Sequence, residues 1–150
     1  MTEEIRVAVA SDIDIVPARA QGRAMAGDLG FSRTEATLVA SAISELARNI
    51  VVHAGSGEIL LKPAHDQNRT GVVVVARDHG PGIPDVDAAL RDGYGTKGGL
   101  GLGLPGVRRT MDEFDIQTVP GRGTTVTMRM WRATPRLARD GVSVDGSGSS

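Results

Sequence analysis

A carboxylate and an amide lie four residues apart in a stretch of helical character, residues 44–49. Glu45 and Asn49 are separated by about 40° on a helical wheel, so both side chains project from one face. A carboxylate can accept the proton of an attacking hydroxyl, and an amide oxygen suits magnesium, which otherwise keeps water and phosphate oxygens as ligands. Taken alone, the pair is more typical of the solvated face of an amphipathic helix.

A second segment places an acid before a glycine turn. Asp78 follows a run of valines and precedes Gly80, Gly82 and Ile83. An acid at the end of a strand is a fixed acceptor for an amino group such as that of adenine, and glycine lets the backbone approach a flat ligand. A simple turn containing glycine and proline explains the same residues equally well.

A glycine-rich run, residues 98–106, precedes a predicted helix. Backbone N–H groups uncovered by glycine at a helix N-terminus form an anion site suited to a triphosphate. Leucines at alternate positions favour an ordered loop over a flexible linker. The run formally matches a dinucleotide fingerprint, but it lacks the βαβ frame, and the sequence has no Walker A motif. A fourth segment, residues 121–124, is by itself typical of a hairpin turn.

These segments need secondary structure to position them. Residues 5–9 alternate in polarity, which predicts a first strand, and a first helix follows it. Ser32 and Glu35 have the spacing of a capping box and mark the start of a second helix, which Gly55 or Gly57 ends. The predicted core stripe of this second helix consists of Val39, Ile43, Leu46, Ala47 and Ile50.

The later elements predict the architecture. Further strands are predicted over residues 58–63, 71–77, 116–119 and 125–131, and further helices over residues 86–91 and 104–113. A polar hairpin loop, residues 65–70, joins the first two of these strands, and four consecutive valines predict a strand covered on both faces or nearly so. The order indicates a two-layer α/β sandwich, with helices over one face of a mixed, largely antiparallel sheet.

Length and composition limit the remaining possibilities. The chain has 150 residues, 40% apolar and 23% charged, with a formal net charge of −1 and no cysteine. We expect one domain over residues 1–131 and a disordered Gly/Ser-rich tail over residues 132–150. The dispersed Lys and Arg residues argue against a nucleic-acid partner. Because no apolar run approaches the roughly 20 residues that span a bilayer, and the first residues lack a secretory signal, we expect a cytoplasmic protein without a membrane partner.

Together, and in this order, the four segments resemble the N, G1, G2 and G3 boxes of the GHKL superfamily, which includes histidine kinases, gyrase, Hsp90 and MutL. Four boxes in the correct order are far more specific than any one of them. The resemblance covers about residues 5–131. It implies the Bergerat ATP-binding fold, with ATP and Mg²⁺ as cofactors.

The resemblance also implies a role for individual residues. By position, Glu45 is similar to the general base, Asn49 to the magnesium ligand and Asp78 to the adenine acceptor. Residues 85–97 correspond to the ATP lid, in which a solvated Lys97 is the alternative to a phosphate contact. The residues implied to bind the nucleotide are Asn49, Asp78, Gly80, Gly82, Ile83, Lys97, Gly99, Leu100, Gly101, Leu102, Gly103, Leu104 and Thr124.

Within the superfamily, the chain is similar to the small serine kinases that regulate sigma factors. Residues 44–49, 92–94, 98–106 and 111–114 are closer to RsbT-type switch kinases than to RsbW-type anti-sigma factors. This resemblance implies phosphorylation of a serine on STAS-domain antagonists of the stressosome scaffold, and activation of a PP2C-type phosphatase on release. Two alternatives stay open: an anti-sigma factor that binds a sigma factor, and a GHKL ATPase without a protein substrate.

Overall fold

The structure, a computed structural model, describes residues 3–90 and 103–133. The helices are α1 (Ile15–Asp28), α2 (Arg33–His53), α3 (Val86–Ala89) and α4 (Gly103–Thr110). The strands are β1 (Ile5–Val9), β2 (Gly57–Asp66), β3 (Arg69–Asp78), β4 (Glu113–Val119) and β5 (Gly123–Trp131). A single 3-10 turn, Asp12–Asp14, leads into α1. Within these ranges, no helix combines the length and the apolar character that crossing a bilayer requires.

The strands form one five-stranded sheet in the order β1-β2-β3-β5-β4. Every pairing among the described strands is antiparallel, whereas the sequence indicates a mixed, largely antiparallel sheet. The reason is that β4 and β5 form a hairpin on the far side of β3, so β5 meets β3 antiparallel. The helices and the inward side chains of the strands share one apolar core, which confirms the two-layer sandwich.

The valine run of β3 is covered on both faces or nearly so, as predicted: three of its valines are buried and Val75 is partly buried. Val72 and Val74 point toward the helices, while Val73 points away from them and is still only 3% exposed. The cross-strand neighbours of Val73 are Lys62 and Arg129. The aliphatic stems of such side chains cover apolar surface while their charges stay in water, so Val73 is covered without a second helical layer.

Helix α2 has the start and the end that the sequence predicts. The Ser32 hydroxyl accepts a hydrogen bond from the Glu35 N–H at 3.1 Å, and the Glu35 carboxylate accepts one from the Ser32 N–H at 2.8 Å. At the other end, Gly55 has a φ of +86°, and its N–H donates to the Ile50 carbonyl. Both ends are thus satisfied by local hydrogen bonds, which fixes which residues of α2 face the sheet.

Helix α1 packs closely against α2. Gly22 is buried on α1, and a Cβ there would lie 2.0 Å from the Ile43 Cδ1 atom of α2. The helix ends in a Schellman motif, because the Phe31 N–H donates to the Ala26 carbonyl and Gly30 has a φ of +90°. The glycine in the middle of α1 therefore permits the helix contact rather than interrupting the helix.

The strands β2 to β5 are longer than predicted, and two of the differences have a clear cause. The β2–β3 loop consists of Gln67 and Asn68 alone, because Asp66 pairs with Arg69 in the ladder and in a salt bridge. Helix α4 ends at Thr110 rather than continuing to Glu113, because Glu113 pairs with Arg129 as the first residue of β4. Tertiary pairing thus extends the strands at the expense of loop and helix.

Candidate functional site

A pocket lies between the C-terminal half of α2, the end of β3, residues 81–83, the start of α4 and the inner face of β5. Its apolar lining consists of Leu46, Ile50, Ala76, Pro81, Ile83, Leu104 and Val126. Its polar side chains are those of Asn49, His53, Asp78 and Thr124. An apolar slot with a few convergent polar groups is the usual construction of a site for a flat organic ligand.

Asp78 is held by the backbone around it. One carboxylate oxygen, Oδ1, accepts from the Gly80 N–H at 2.9 Å and from the Thr124 N–H at 3.3 Å. The other oxygen, Oδ2, accepts no hydrogen bond from any residue that the structure describes. Asp78 is therefore a pocket-lining carboxylate that is oriented by backbone hydrogen bonds and keeps one oxygen free of them.

Glycine is required where the backbone around Asp78 is crowded. Gly123 has a φ of +134°, and a Cβ there would lie 2.1 Å from the Asp78 carbonyl oxygen. Gly82 has a φ of +86°, and a Cβ there would lie 2.9 Å from the Thr118 hydroxyl and 3.0 Å from the Val119 carbonyl oxygen. Both glycines therefore combine a left-handed backbone with close approach to a neighbouring strand.

Two threonines connect the turn after Asp78 to the β4–β5 hairpin. Thr118 and Thr124 are cross-strand partners, with their hydroxyl oxygens 3.1 Å apart. The Thr118 hydroxyl also accepts from the Ile83 N–H at 2.8 Å. Thr124 is 7% exposed and lines the pocket, and its backbone N–H donates to Asp78 while its hydroxyl contacts Thr118.

Helix α2 supplies the opposite wall. Leu46, Asn49, Ile50 and His53 follow the helical period and all line the pocket. Glu45 lies one turn before Asn49 and is partly exposed, but it does not line the pocket. The predicted shared face of Glu45 and Asn49 thus places the amide in the pocket and the carboxylate beside it.

The predicted site residues divide into three groups. The pocket brings together Asn49, Asp78, Gly82, Ile83, Leu104 and Thr124. Adjacent residues that do not line it are Glu45, Gly80 and Gly103. The remaining predictions, Lys97, Gly99, Leu100, Gly101 and Leu102, lie outside the described residues.

Sequence reasoning missed several residues of the pocket. Leu46 and Ile50 were assigned to the core, yet they also form its wall. Ala76 was missed although it lies two residues before Asp78, and strand periodicity puts both on one face. His53, the last residue of α2, also lines the pocket. Thr118 does not line the pocket but contacts Thr124 and the Ile83 N–H. It has no sequence signal, because its position depends on the register of β4 against β5.

Comparisons with known proteins identify the family. Residues 8–130 match the family of histidine kinase-like ATPase domains. The serine/threonine-protein kinase RsbT of Bacillus subtilis is 44% identical over 131 residues, covering 87% of this chain and 98% of that kinase. An anti-sigma F factor of Caldanaerobacter subterraneus is 30% identical over 117 residues, covering 74% of this chain and 80% of that factor.

A solved structure has the same fold. The RsbU and RsbW domains of a Mycobacterium tuberculosis protein match with a TM-score of 0.64 at 20% identity, covering 89% of this chain. This chain spans only 34% of that protein's length, and the likeness shows the fold alone. The family match and the similarity to RsbT both extend over most of the sequence. The chain therefore belongs to the histidine kinase-like ATPase domain family, an ATP-binding family, and is a homologue of the serine/threonine-protein kinase RsbT.

Proposed function

We propose that the chain is a Mg-ATP-dependent serine kinase of the RsbT type, acting on a STAS-domain antagonist in a sigma-factor partner-switching pathway. The observation that carries the proposal is the 44% identity to the RsbT kinase over 98% of that kinase's length. The pocket supports the proposal that the chain binds Mg-ATP. The position of Glu45 beside the pocket supports the proposal that it transfers phosphate to a serine.

The adenine of ATP fits the slot between α2 and residues 81–83. Apolar side chains line both sides of the slot, so they can contact the faces of a purine ring. The Oδ2 atom of Asp78 accepts from the exocyclic amino group, while Oδ1 is already occupied by backbone N–H groups. An acceptor pre-oriented in this way loses little freedom when the ligand binds.

The donor set around Asn49 fits a magnesium ion that is carried with the nucleotide. Among the described residues, no group of three or more His, Asp or Glu side chains is arranged to hold a metal. Magnesium in phosphoryl-transfer sites is held through one or two protein ligands together with substrate phosphates and water, so a single amide oxygen is sufficient. When bound, Mg²⁺ neutralises charge on the β- and γ-phosphates. Gly99, Gly101 and Gly103 are proposed to hold the same phosphates through backbone N–H groups.

Glu45 is proposed as the general base. The serine Oγ attacks the γ-phosphorus in line, the bond from that phosphorus to the β–γ bridging oxygen breaks, and ADP leaves. Glu45 takes the hydroxyl proton. Because Glu45 is partly exposed and lies one helical turn from Asn49, a serine presented by a partner protein can approach it from solvent. Most of the catalysis comes from positioning and charge stabilisation.

The proposed partners follow from the similarity to RsbT. We propose that a STAS-domain scaffold holds the kinase, that a STAS-domain antagonist is its substrate, and that the released kinase acts on a PP2C-type phosphatase. A second candidate is an anti-sigma factor that binds a sigma factor, which the 30% identity to anti-sigma F factors favours. The third is an ATPase without a protein substrate.

One experiment separates these functions. The purified chain is mixed with Mg-ATP and a candidate STAS-domain protein, and phosphoserine and free phosphate are measured by mass spectrometry and a phosphate assay. We expect phosphoserine to form, and Glu45→Ala to slow the transfer by about 10²–10⁴-fold while ATP affinity is retained. The control Glu4→Ala removes an exposed carboxylate at the start of the described chain and leaves the rate unchanged.

Other outcomes contradict specific parts of the proposal. Undiminished transfer by Glu45→Ala removes Glu45 from the role of base. Release of free phosphate without phosphoserine favours the ATPase. Capture of a sigma factor, rather than a STAS-domain protein, in a pull-down with and without ATP favours the anti-sigma factor.

A further inference from the structure

We propose that Thr118 is a positioning residue that holds residues 81–83 as one wall of the nucleotide pocket. The inference rests on the proposed nucleotide site and adds to it a residue that does not itself line the pocket. Thr118 lies on the inward face of β4, directly across from Thr124 of β5. Its hydroxyl, on β4, contacts two other segments: the turn after β3 and the start of β5.

All hydrogen-bonding capacity of the Thr118 hydroxyl is used. It accepts from the Ile83 N–H at 2.8 Å, lies 3.1 Å from the Thr124 hydroxyl, and donates to the Gly123 carbonyl at 3.3 Å. A hydroxyl has one donor and two acceptor sites, so these three contacts are satisfied together when Thr124 donates to Thr118. No apolar side chain of the same shape can replace this arrangement.

Among the described residues, only two hydrogen bonds join residues 81–83 to the β4–β5 hairpin. The Gly121 N–H donates to the Pro81 carbonyl at 2.9 Å, and the Ile83 N–H donates to Thr118. Gly82 lies between these two hydrogen bonds with a φ of +86°, its backbone pressed toward the Thr118 hydroxyl. Loss of the Thr118 bond therefore releases one end of the segment and leaves the Ile83 N–H without its partner.

Thr118 also connects the wall to the proposed adenine acceptor. Thr124 contacts Thr118 through its hydroxyl and Asp78 through its backbone N–H. Ile83 and Asp78 both line the pocket. The same network therefore sets the distance between the apolar wall and the acceptor, which decides how well a purine fits. Glu45 is not part of this hydrogen-bond network, so the rate of phosphate transfer is not expected to depend on Thr118.

The test compares two substitutions of Thr118. Thr118→Val keeps the shape and removes the hydroxyl, and Thr118→Ser keeps the hydroxyl. For Thr118→Val we expect a rise of about 5–20-fold in Kd and KM for Mg-ATP with kcat changed less than twofold, since one lost hydrogen bond is worth about 1–2 kcal/mol. Thr118→Ser is expected to bind within about twofold of the wild type. Hydrogen exchange of the Ile83 amide, measured without ligand, is expected to accelerate in Thr118→Val alone.

Controls separate positioning from folding. Thr125→Val changes a threonine on the opposite face of β5 and is expected to leave Mg-ATP binding unchanged. Binding is measured at a temperature at which thermal unfolding shows every variant to be folded. If Thr118→Val does not fold, Thr118→Cys replaces it, since a thiol is a weaker acceptor in nearly the same volume.

The outcomes distinguish this inference from the proposed function. A wild-type chain that does not bind Mg-ATP overturns both. A wild-type chain that binds, with equal binding by Thr118→Val and an unchanged Ile83 amide, overturns the role of Thr118 alone. Failure of Thr118→Ser to restore binding, or a fall in kcat with KM unchanged, also overturns it.

Discussion

The carboxylate of Asp78 accepts a hydrogen bond from the backbone N–H of Thr124, its cross-strand partner in the β3–β5 ladder. A side chain at the end of one strand is thus held by the backbone of the next. The same oxygen also accepts from the Gly80 N–H. These bonds orient the carboxylate in the absence of a ligand. Both use Oδ1, so Oδ2 remains available to accept a hydrogen bond from a ligand.

Substitution of Asp78 by Asn tests whether one carboxylate oxygen binds the backbone while the other binds the ligand. The amide oxygen can keep the two backbone bonds, while the NH₂ group then replaces the acceptor that faces the pocket. We expect the fold to be retained. The affinity for Mg-ATP, measured by calorimetry, is expected to fall by about 10–100-fold, because the amino group of adenine then faces the NH₂ group of Asn and both are donors. Affinity for Mg-GTP, whose base carries an oxo group instead, is expected to fall less. The control Asp115→Asn changes an exposed carboxylate of β4. Equal ATP affinity in Asp78→Asn would contradict the assignment.

Two glycines of one turn give a matched test of backbone crowding. Gly121 and Gly123 both have positive φ, but a Cβ at Gly121 meets nothing within 4 Å, whereas one at Gly123 lies 2.1 Å from the Asp78 carbonyl oxygen. Gly121→Ala is expected to cost about 1 kcal/mol of unfolding free energy from backbone strain alone. Gly123→Ala is expected to cost about 3 kcal/mol and to reduce ATP binding, because β3 must move. Urea unfolding measures both, and equal costs would show that crowding at Gly123 is relieved without moving the site.

Features that depend on local sequence could be predicted, and they include much of the fold. The capping box of Ser32 and Glu35 forms as expected, because both partners lie within one helical turn. Asp78 and Gly82 were found from their order around a turn, and both line the pocket. The predicted core stripe of α2 is buried throughout, since the helical period is local as well.

Features that depend on register or on tertiary pairing could not be predicted. Thr118 meets Thr124 and the Ile83 N–H only because β4 pairs with β5 in one register, which no spacing along the chain reveals. The β2–β3 loop contains Gln67 and Asn68 in place of the Asn-Gly signal of a two-residue hairpin, so the expected loop was too long. Glu45 has the predicted spacing from Asn49, but spacing alone does not show that the carboxylate lies outside the pocket wall.

The pH dependence of stability is predicted from Glu35. Partial burial of this carboxylate opposes its ionisation, but hydrogen bonds from Ser32 and Ala133 and the charge of Arg132 outweigh it and lower its pKa below the ordinary value of 4.5. A lowered pKa means that the stabilisation is present above pH 4.5 and is lost as the pH falls through the folded-state pKa. Glu35→Gln can keep the capping box but cannot titrate.

The measurement is the unfolding free energy between pH 7 and pH 3 for both proteins. The wild type is expected to lose stability below pH 4.5 more steeply than Glu35→Gln, and the two curves are expected to converge at the acid end. The pKa of Glu113 is lowered as well, chiefly by the Trp131 hydrogen bond, but it contributes equally to both curves and cancels in their difference. Parallel curves for the two proteins would show that Glu35 does not contribute.

The role of Asn49 is tested through the magnesium dependence of nucleotide binding. Because Asn49 lines the pocket on the α2 wall, its removal could weaken binding either by loss of packing or by loss of a metal ligand. The affinity for ATP measured in EDTA reports packing alone, and the gain in affinity on adding Mg²⁺ reports the metal. In Asn49→Ala we expect this magnesium gain to fall by about tenfold, the order expected for loss of one group around a bound metal, while affinity in EDTA changes little.

Arg48→Ala alters the neighbouring exposed residue of α2 and serves as the control. An unchanged magnesium gain in Asn49→Ala would place the ion on other ligands, and an equal loss with and without Mg²⁺ would assign Asn49 to packing.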